Sequence, residues 1–346
     1  MPSAVRRRRR SATVALAFAV VLALSGCTGA GDRWSLEAIG VGSPHPDDVV
    51  VGTTMVAADG EGGFWSADAS SWVHVDAEGE TVAEHSFDPG EPLFGVTAMA
   101  ALSADRLVVV RGGTDDPTLS IVDTRDLTLT DVPIETVSGP DDVRLAFGAV
   151  AARAEIVHLV RYRLAETADL EAEVLRIHPV DGRTTVVHIE PLHFADSPES
   201  APGLPPVALD VTADRIFLAT PVHRIVLDAD GAELARTGQD AERPHVAADP
   251  DGAALWWGAE EDPRGTRADV VAGSAEAREV IARHEHCQEP FFTDSPLFTE
   301  STADLRGQPL SFLCGVSAAG WVGDGWVVAL GGENGGALVR VVRPAP

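Results

Sequence analysis

The chain contains no lysine, one asparagine (Asn334) and three cysteines in 346 residues. Without lysine there is no P-loop lysine over a phosphate, no Schiff base and no Ser-x-x-Lys nucleophile. A GC-rich coding sequence that avoids AT-rich codons accounts for both scarcities. Basic charge is short throughout: 26 arginines face 53 acidic residues, for a formal charge of −27. Such a surface repels phosphate backbones and anionic headgroups, which excludes nucleic acid as a partner. Long apolar runs are missing after residue 24, so no later segment offers the roughly 20 apolar residues of a spanning helix.

What is present begins with Arg6 to Arg10 and an apolar run from Ala12 to Leu24. A charged stretch, a short apolar stretch and then the small residues Ser25 and Gly26 are the layout of a cleaved secretory signal. Leu24-Ser25-Gly26-Cys27 resembles the lipobox of bacterial lipoproteins and matches that pattern without departure. The resemblance implies cleavage before Cys27, lipid on its sulfur, and a mature chain anchored to the extracytoplasmic face of the cell membrane. The expected layout is a signal peptide at 1–26, a lipidated tether at 27–33 and a folded domain at 34–346.

Five arginines and no acid leave with the signal, so 21 basic residues remain against 53 acidic ones. The membrane is then held by lipid and not by a basic patch. With Cys27 acylated, Cys287 and Cys314 remain as an even pair in an oxidising compartment, which predicts a disulfide. On the loop-entropy model it would contribute on the order of 3 kcal/mol.

From about Val49 onward, short stretches rich in Val, Leu, Ile, Thr and Trp alternate with Asp, Gly and Pro, and no long 3.6-residue period appears. An internal repeat decides the reading. WVHVDAEGETVAEHSF at 72–87, VLRIHPVDGRTTVVHI at 174–189 and RIVLDADGAELARTGQ at 224–239 share one grammar: a strand, a polar turn closed by Gly, a second strand. Looser copies stand at 119–134 and 268–283, and equivalent turn positions are 47, 56, 49 and 45 residues apart. Another strand pair precedes each copy, as in MVAADGEGGFWSA and LDVTADRIFLATP. Four short strands in roughly 45 residues is the spacing of propeller blades.

The units fall at 49–88, 94–136, 143–190, 206–239, 243–283 and 311–343. The last is one strand short, and Trp34 to Ile39 is a spare strand at the other end. The predicted fold is therefore an all-β, six-bladed β-propeller closed by pairing the N-terminal strand with the last blade, which removes both free edges. The chain resembles the TolB-like or NHL-like six-bladed propellers in exported lipoprotein form, on turn grammar and not on any functional motif. A seven-bladed ring or a pair of sandwiches is the alternative.

Candidate chemistry is thin. His45-Pro46-Asp47-Asp48 resembles the metal-binding stretch of zinc deacetylases but continues with Val49 in place of an acid, and reads as a turn. The Asp-x-Asp-Gly stretches at 228–231 and 249–252 lack the later ligands of a calcium loop and read as hairpin turns. His284-Glu285-His286-Cys287 has a donor set that suits zinc, but a cysteine in an oxidising compartment is read as half of the disulfide. No catalytic residue, metal or cofactor is expected. Aromatic residues gather at Trp256 and Trp257 before an irregular segment, and at Phe291, Phe292 and Phe298 within a loop insertion at 284–310, with Trp321 and Trp326 behind it. They read first as blade core or packing of the insertion, and Trp256, Trp257, Phe291, Phe292 and Phe298 are the candidate binding residues if a surface is formed there. The expected function is a ligand- or protein-binding module for an envelope protein or a small extracellular ligand. An extracellular hydrolase or lyase on the same scaffold is the alternative.

Overall fold

The computed structural model describes residues 35–41, 55–68, 70–112, 117–134, 145–164, 170–192, 204–239, 244–252, 254–262, 265–273, 278–287, 304–305, 308–309, 316–323, 325–330 and 337–342. Every regular element among them is a strand. The first, β1 (Ser35–Val41), stands apart from the meanders that follow. The first sheet is β2 (Met55–Ala58), β3 (Phe64–Ala67), β4 (Ser71–Val75) and β5 (Thr81–Ser86). The second is β6 (Ala98–Ser103), β7 (Arg106–Arg111), β8 (Thr118–Asp123) and β9 (Leu129–Asp131). The third is β10 (Leu145–Arg153), β11 (Ile156–Leu164), β12 (Leu170–Ile177) and β13 (Thr184–Leu192). The fourth is β14 (Ala208–Val211), β15 (Arg215–Ala219), β16 (His223–Asp228) and β17 (Glu233–Gly238). The fifth is β18 (His245–Ala248), β19 (Ala254–Asp262), β20 (Gly265–Gly273) and β21 (Arg278–Cys287). A small hairpin, β22 (Asp304–Leu305) and β23 (Gln308–Pro309), precedes β24 (Val316–Val322), β25 (Gly325–Leu330) and β26 (Ala337–Val342).

Strands β24 to β26 form a sixth sheet whose fourth, outermost strand is β1, in the order β1-β26-β25-β24. Ser35 pairs with Val342 and Val41 with Ala337, so the N-terminal strand completes the last sheet as expected. The inner strands β2, β6, β10, β14, β18 and β24 pack side by side in that order, and β24 returns to β2. Six four-stranded antiparallel sheets among the described residues, arranged radially in a closed ring, make this a β-propeller.

The turn grammar explains the repeat. Asp76 Oδ1 accepts the backbone N–H of Glu78 and Glu80 at 3.0 and 2.8 Å, and Asp228 Oδ1 accepts those of Asp230 and Ala232 at 2.9 and 2.8 Å. Each loop then reverses through a glycine at positive φ, Gly79 at 85° and Gly231 at 90°. Gly231 has a second reason to lack a side chain: a Cβ there would collide with the Val187 carbonyl of the preceding sheet.

The cores lie between sheets. Trp65, Trp72, Met99 and Leu107 fill the space between the first and second, and Leu159, Leu175 and Ile177 that between the second and third. Val160, Val174, Leu218 and Ile225 fill the next. Each fully buried large side chain contributes roughly 1.5–3 kcal/mol through area removed from water. One boundary differs from expectation: β21 runs on through Cys287, with His284 opposite Ala268 and Cys287 opposite Thr266. The polar stretch 284–287 is therefore paired strand, because its partner β20 extends equally far, and the connection to β24 starts at 288.

Candidate functional site

The inner strands enclose a central channel of about 710 Å³. Their sequences explain its wall. An Ala-Ala pair occurs in five of the six, within MVAA, AMAALS, LAFGAVAAR, HVAA and VSAAGWV. Strands that converge on an axis have little room for side chains, so small residues line them. The exception is β14, ALDV, whose Asp210 is the single carboxylate among the described inner strands.

Asp210 bridges two sheets. One oxygen accepts its neighbour Val211 N–H at 2.8 Å, and the other accepts the Ala248 N–H of the next inner strand at 2.7 Å. Burial pushes its pKa up to about 6, while those two N–H groups and the charge of Arg153 pull the other way and do not fully compensate. The carboxyl thus serves as a hydrogen-bonded latch between β14 and β18, with both oxygens engaged.

Aromatic side chains mark the two ends of the channel. The Tyr162 hydroxyl donates to the Pro205 carbonyl at 2.8 Å, which holds the connection into the fourth sheet. Its ring lies over Gly148, where a Cβ would come within 2.8 Å of the ring, so the glycine is required by close approach. At the other end, the Trp321 ring meets Trp326 edge-on at 5.0 Å, and the fully buried Trp326 donates its indole N–H to the Ala247 carbonyl at 2.9 Å.

The ends differ in their connections. In a four-stranded meander the first-to-second and third-to-fourth turns lie at one end, and the second-to-third turns and the sheet-to-sheet connections at the other. The first end carries tight turns such as 59–63, 104–105, 154–155 and 212–214. It is also where Arg106 of the second sheet pairs with Glu155 of the third. At the second end lie the strand ends between which the sheet-to-sheet connections run: Val41 and Met55, Ser86 and Ala98, Asp131 and Leu145, Leu192 and Ala208, Gly238 and His245, and Cys287 and Val316.

Two ionic groups lie away from the channel. Arg161 and Glu173 face each other across β11 and β12, both almost wholly buried, with Arg161 Nε donating to Glu173 Oε2 at 2.7 Å. On the outer rim, Glu190 of β13 is 1 % exposed and accepts Arg236 of β17 through Nη1 at 2.8 Å and Nη2 at 2.9 Å. His223 Nδ1 lies 3.0 Å and His188 Nε2 3.4 Å from its oxygens. Burial pushes the Glu190 pKa up, but the bonds from His188 and Arg236, the Arg236 charge and His223 outweigh it and hold it at about 2.

The residues singled out from sequence are scattered. Trp256 is 2 % exposed and packs against Phe217 between the fourth and fifth sheets, with ring centroids 6.0 Å apart. Trp257 pairs with His245 and Val270 along β19, and its side chain lies outside the described residues. Cys287 ends β21, whereas Cys314, Cys27, Phe291, Phe292 and Phe298 lie outside the described residues. Among the described residues, no group of three or more His, Cys, Asp or Glu is placed to hold a metal ion. Sequence reasoning missed Asp210, for which the signal was available as the one acid among the described inner strands. It also missed the Glu190 cluster, whose members are far apart in the chain.

No family model matches the chain, and no curated protein does. Solved structures do. The WD40 domain of Pan2 from Neurospora crassa is 11% identical over 92% of this chain and 99% of that one, with a TM-score of 0.47. A putative TolB from Agrobacterium tumefaciens is 8% identical over 83% and 89%, at 0.46. A gluconolactonase from Xanthomonas campestris is 13% identical over 91% of each chain, also at 0.46.

Proposed function

We propose that the chain is a lipid-anchored extracytoplasmic six-bladed propeller that works as a binding module for an envelope protein or a small extracellular ligand. The observation that supports this most is the asymmetry of the ring: the sheet-to-sheet connections, up to 28 residues long at 288–315, start and finish at one end of a channel walled by small side chains. Loops set on a rigid scaffold are where recognition concentrates. Both carboxylates of the lining are already engaged: Asp210 accepts two backbone N–H groups, and Asp59 at the tight-turn mouth accepts the N–H of Glu61 and Gly63 and lies 2.9 Å from His74 Nε2. A hydrolase or lyase would need an acid and a base at one mouth whose reacting atoms are not already taken up in such bonds, and the Asp59–His74 pair is where that alternative would be sought.

Two measurements test the reading. Cys27→Ala should release the protein from membranes, because no second element replaces the acyl chains; sedimentation with membranes after a high-salt wash would remove the lipid anchor. Intact lipoprotein purified from solubilised envelope should bring a stoichiometric partner or bind a small ligand. Replacing 288–303 with a Gly-Ser bridge should weaken that recovery with little change in thermal midpoint. Turnover of extracellular polysaccharides or peptides by the purified protein, without such a partner, would favour the enzyme.

A further inference from the structure

We propose that the ring is anchored with its tight-turn end toward the bilayer, so that its long-connection end and the channel mouth beside Tyr162 open to the aqueous phase. This rests on the lipid anchor at Cys27 and adds an orientation that the anchor alone does not fix.

The direction of β1 carries it. Ser35 pairs with Val342, Val342 with Gly325, and Gly325 with Val322, so the start of β1 lies beside the tight turn between β24 and β25. Val41, at the other end of β1, pairs with Ala337, which pairs with Leu330, and from there the chain enters the connection 42–54. The tether from Cys27 therefore joins the ring at its tight-turn end.

Its length makes the opposite orientation costly. Residues 27–34 reach at most roughly 25–30 Å when fully extended. Strand β1 has 7 residues and spans about 23 Å along the ring's edge. Turning the long-connection end to the membrane would lay nearly the whole tether flat along that edge, with little slack to insert the lipid. Electrostatics acts against this orientation on anionic lipid, because the tight turns of the first sheet carry Asp59, Glu61, Asp76 and Glu78, so the reach of the tether is isolated on zwitterionic lipid.

The test uses two matched substitutions on the first sheet, adjacent to the sixth. Glu78→Cys places a thiol in the turn between β4 and β5, and Glu91→Cys places one in the connection 87–97 at the other end; both positions are exposed. Each variant is reconstituted as intact lipoprotein in phosphatidylcholine vesicles, and its rate of labelling by polyethylene-glycol maleimide is compared with the same variant carrying Cys27→Ala in solution. The unsubstituted chain supplies the background from Cys287 and Cys314. Anchoring should slow Glu78→Cys several-fold and leave Glu91→Cys nearly unchanged. Equal slowing at both positions, or greater slowing at Glu91→Cys, in protein that floats with the vesicles would overturn the orientation. Protein that fails to float would instead overturn the lipid anchor, and the orientation with it.

Discussion

Glu190 on the outer rim and Asp210 on the channel wall are both carboxylates taken out of bulk water at joints between sheets, yet they end on opposite sides of their ordinary values. Glu190 is held at about 2 and Asp210 is raised to about 6. Burial pushes both up. Glu190 meets an arginine that grips both oxygens and two histidines, whereas Asp210 meets two neutral backbone N–H groups and a more distant Arg153. A neutral donor satisfies a lone pair, but only a charged donor offsets the lost hydration of the ion. The two joints should therefore respond to pH with opposite signs.

The largest expected effect comes from removing the cation. Arg236→Leu leaves Glu190 buried with only the histidines, and should destabilise the fold by about 3 kcal/mol at pH 7, toward the lower end of the range for a broken buried pair. The deficit should shrink as pH falls, because a protonated Glu190 no longer needs the arginine. Urea midpoints at pH 7 and pH 4 measure this. A deficit that does not change with pH would mean that Arg236 acts through its aliphatic stem and not its charge.

Removing the acid comes next. Glu190→Gln keeps the shape and loses charge-assisted bonds worth about 2 kcal/mol. A carboxyl with a lowered folded pKa contributes stability that is present above its unfolded value near 4.5 and is lost as pH falls through about 2. The wild-type advantage over Glu190→Gln should therefore be complete at pH 6 and vanish toward pH 2. An advantage that persists at pH 2 would assign the effect to packing.

These two joints also show what the sequence could and could not convey. The turn at Asp76 to Gly79 was legible because its hydrogen bonds join residues two and four apart, and repeats of it set the period of the sheets. Closure by β1 was legible because an odd strand at each end has one economical solution. Glu190 and Arg236 are 46 positions apart and meet only when neighbouring sheets pack, so no local pattern announces them. Trp256 reads as blade core or as a binding residue from sequence alone, and strand β19 carries it into the core beside Phe217. His284 to Cys287 fall within the loop insertion expected at 284–310, yet β21 carries them on as strand beside β20.

The smallest effect, and the one that sharpens the contrast most, is at the channel wall. Asp210 has a raised folded pKa, so its favourable contribution is fully present below about 3.8 and is lost as pH rises through about 6. Asp210→Asn cannot ionise. Its amide oxygen can accept only part of what Val211 and Ala248 donate, which adds a cost that does not vary with pH. The informative quantity is therefore the change with pH: between pH 4 and pH 6.5 the variant should gain about 1 kcal/mol relative to wild type, a figure discounted for the channel solvent that meets the carboxyl. That slope is opposite to the one expected for Glu190→Gln over its own range. A difference between Asp210→Asn and wild type that stays flat from pH 4 to 6.5 would show that Asp210 titrates as an ordinary solvated acid, and that the joint between β14 and β18 does not depend on its protonation.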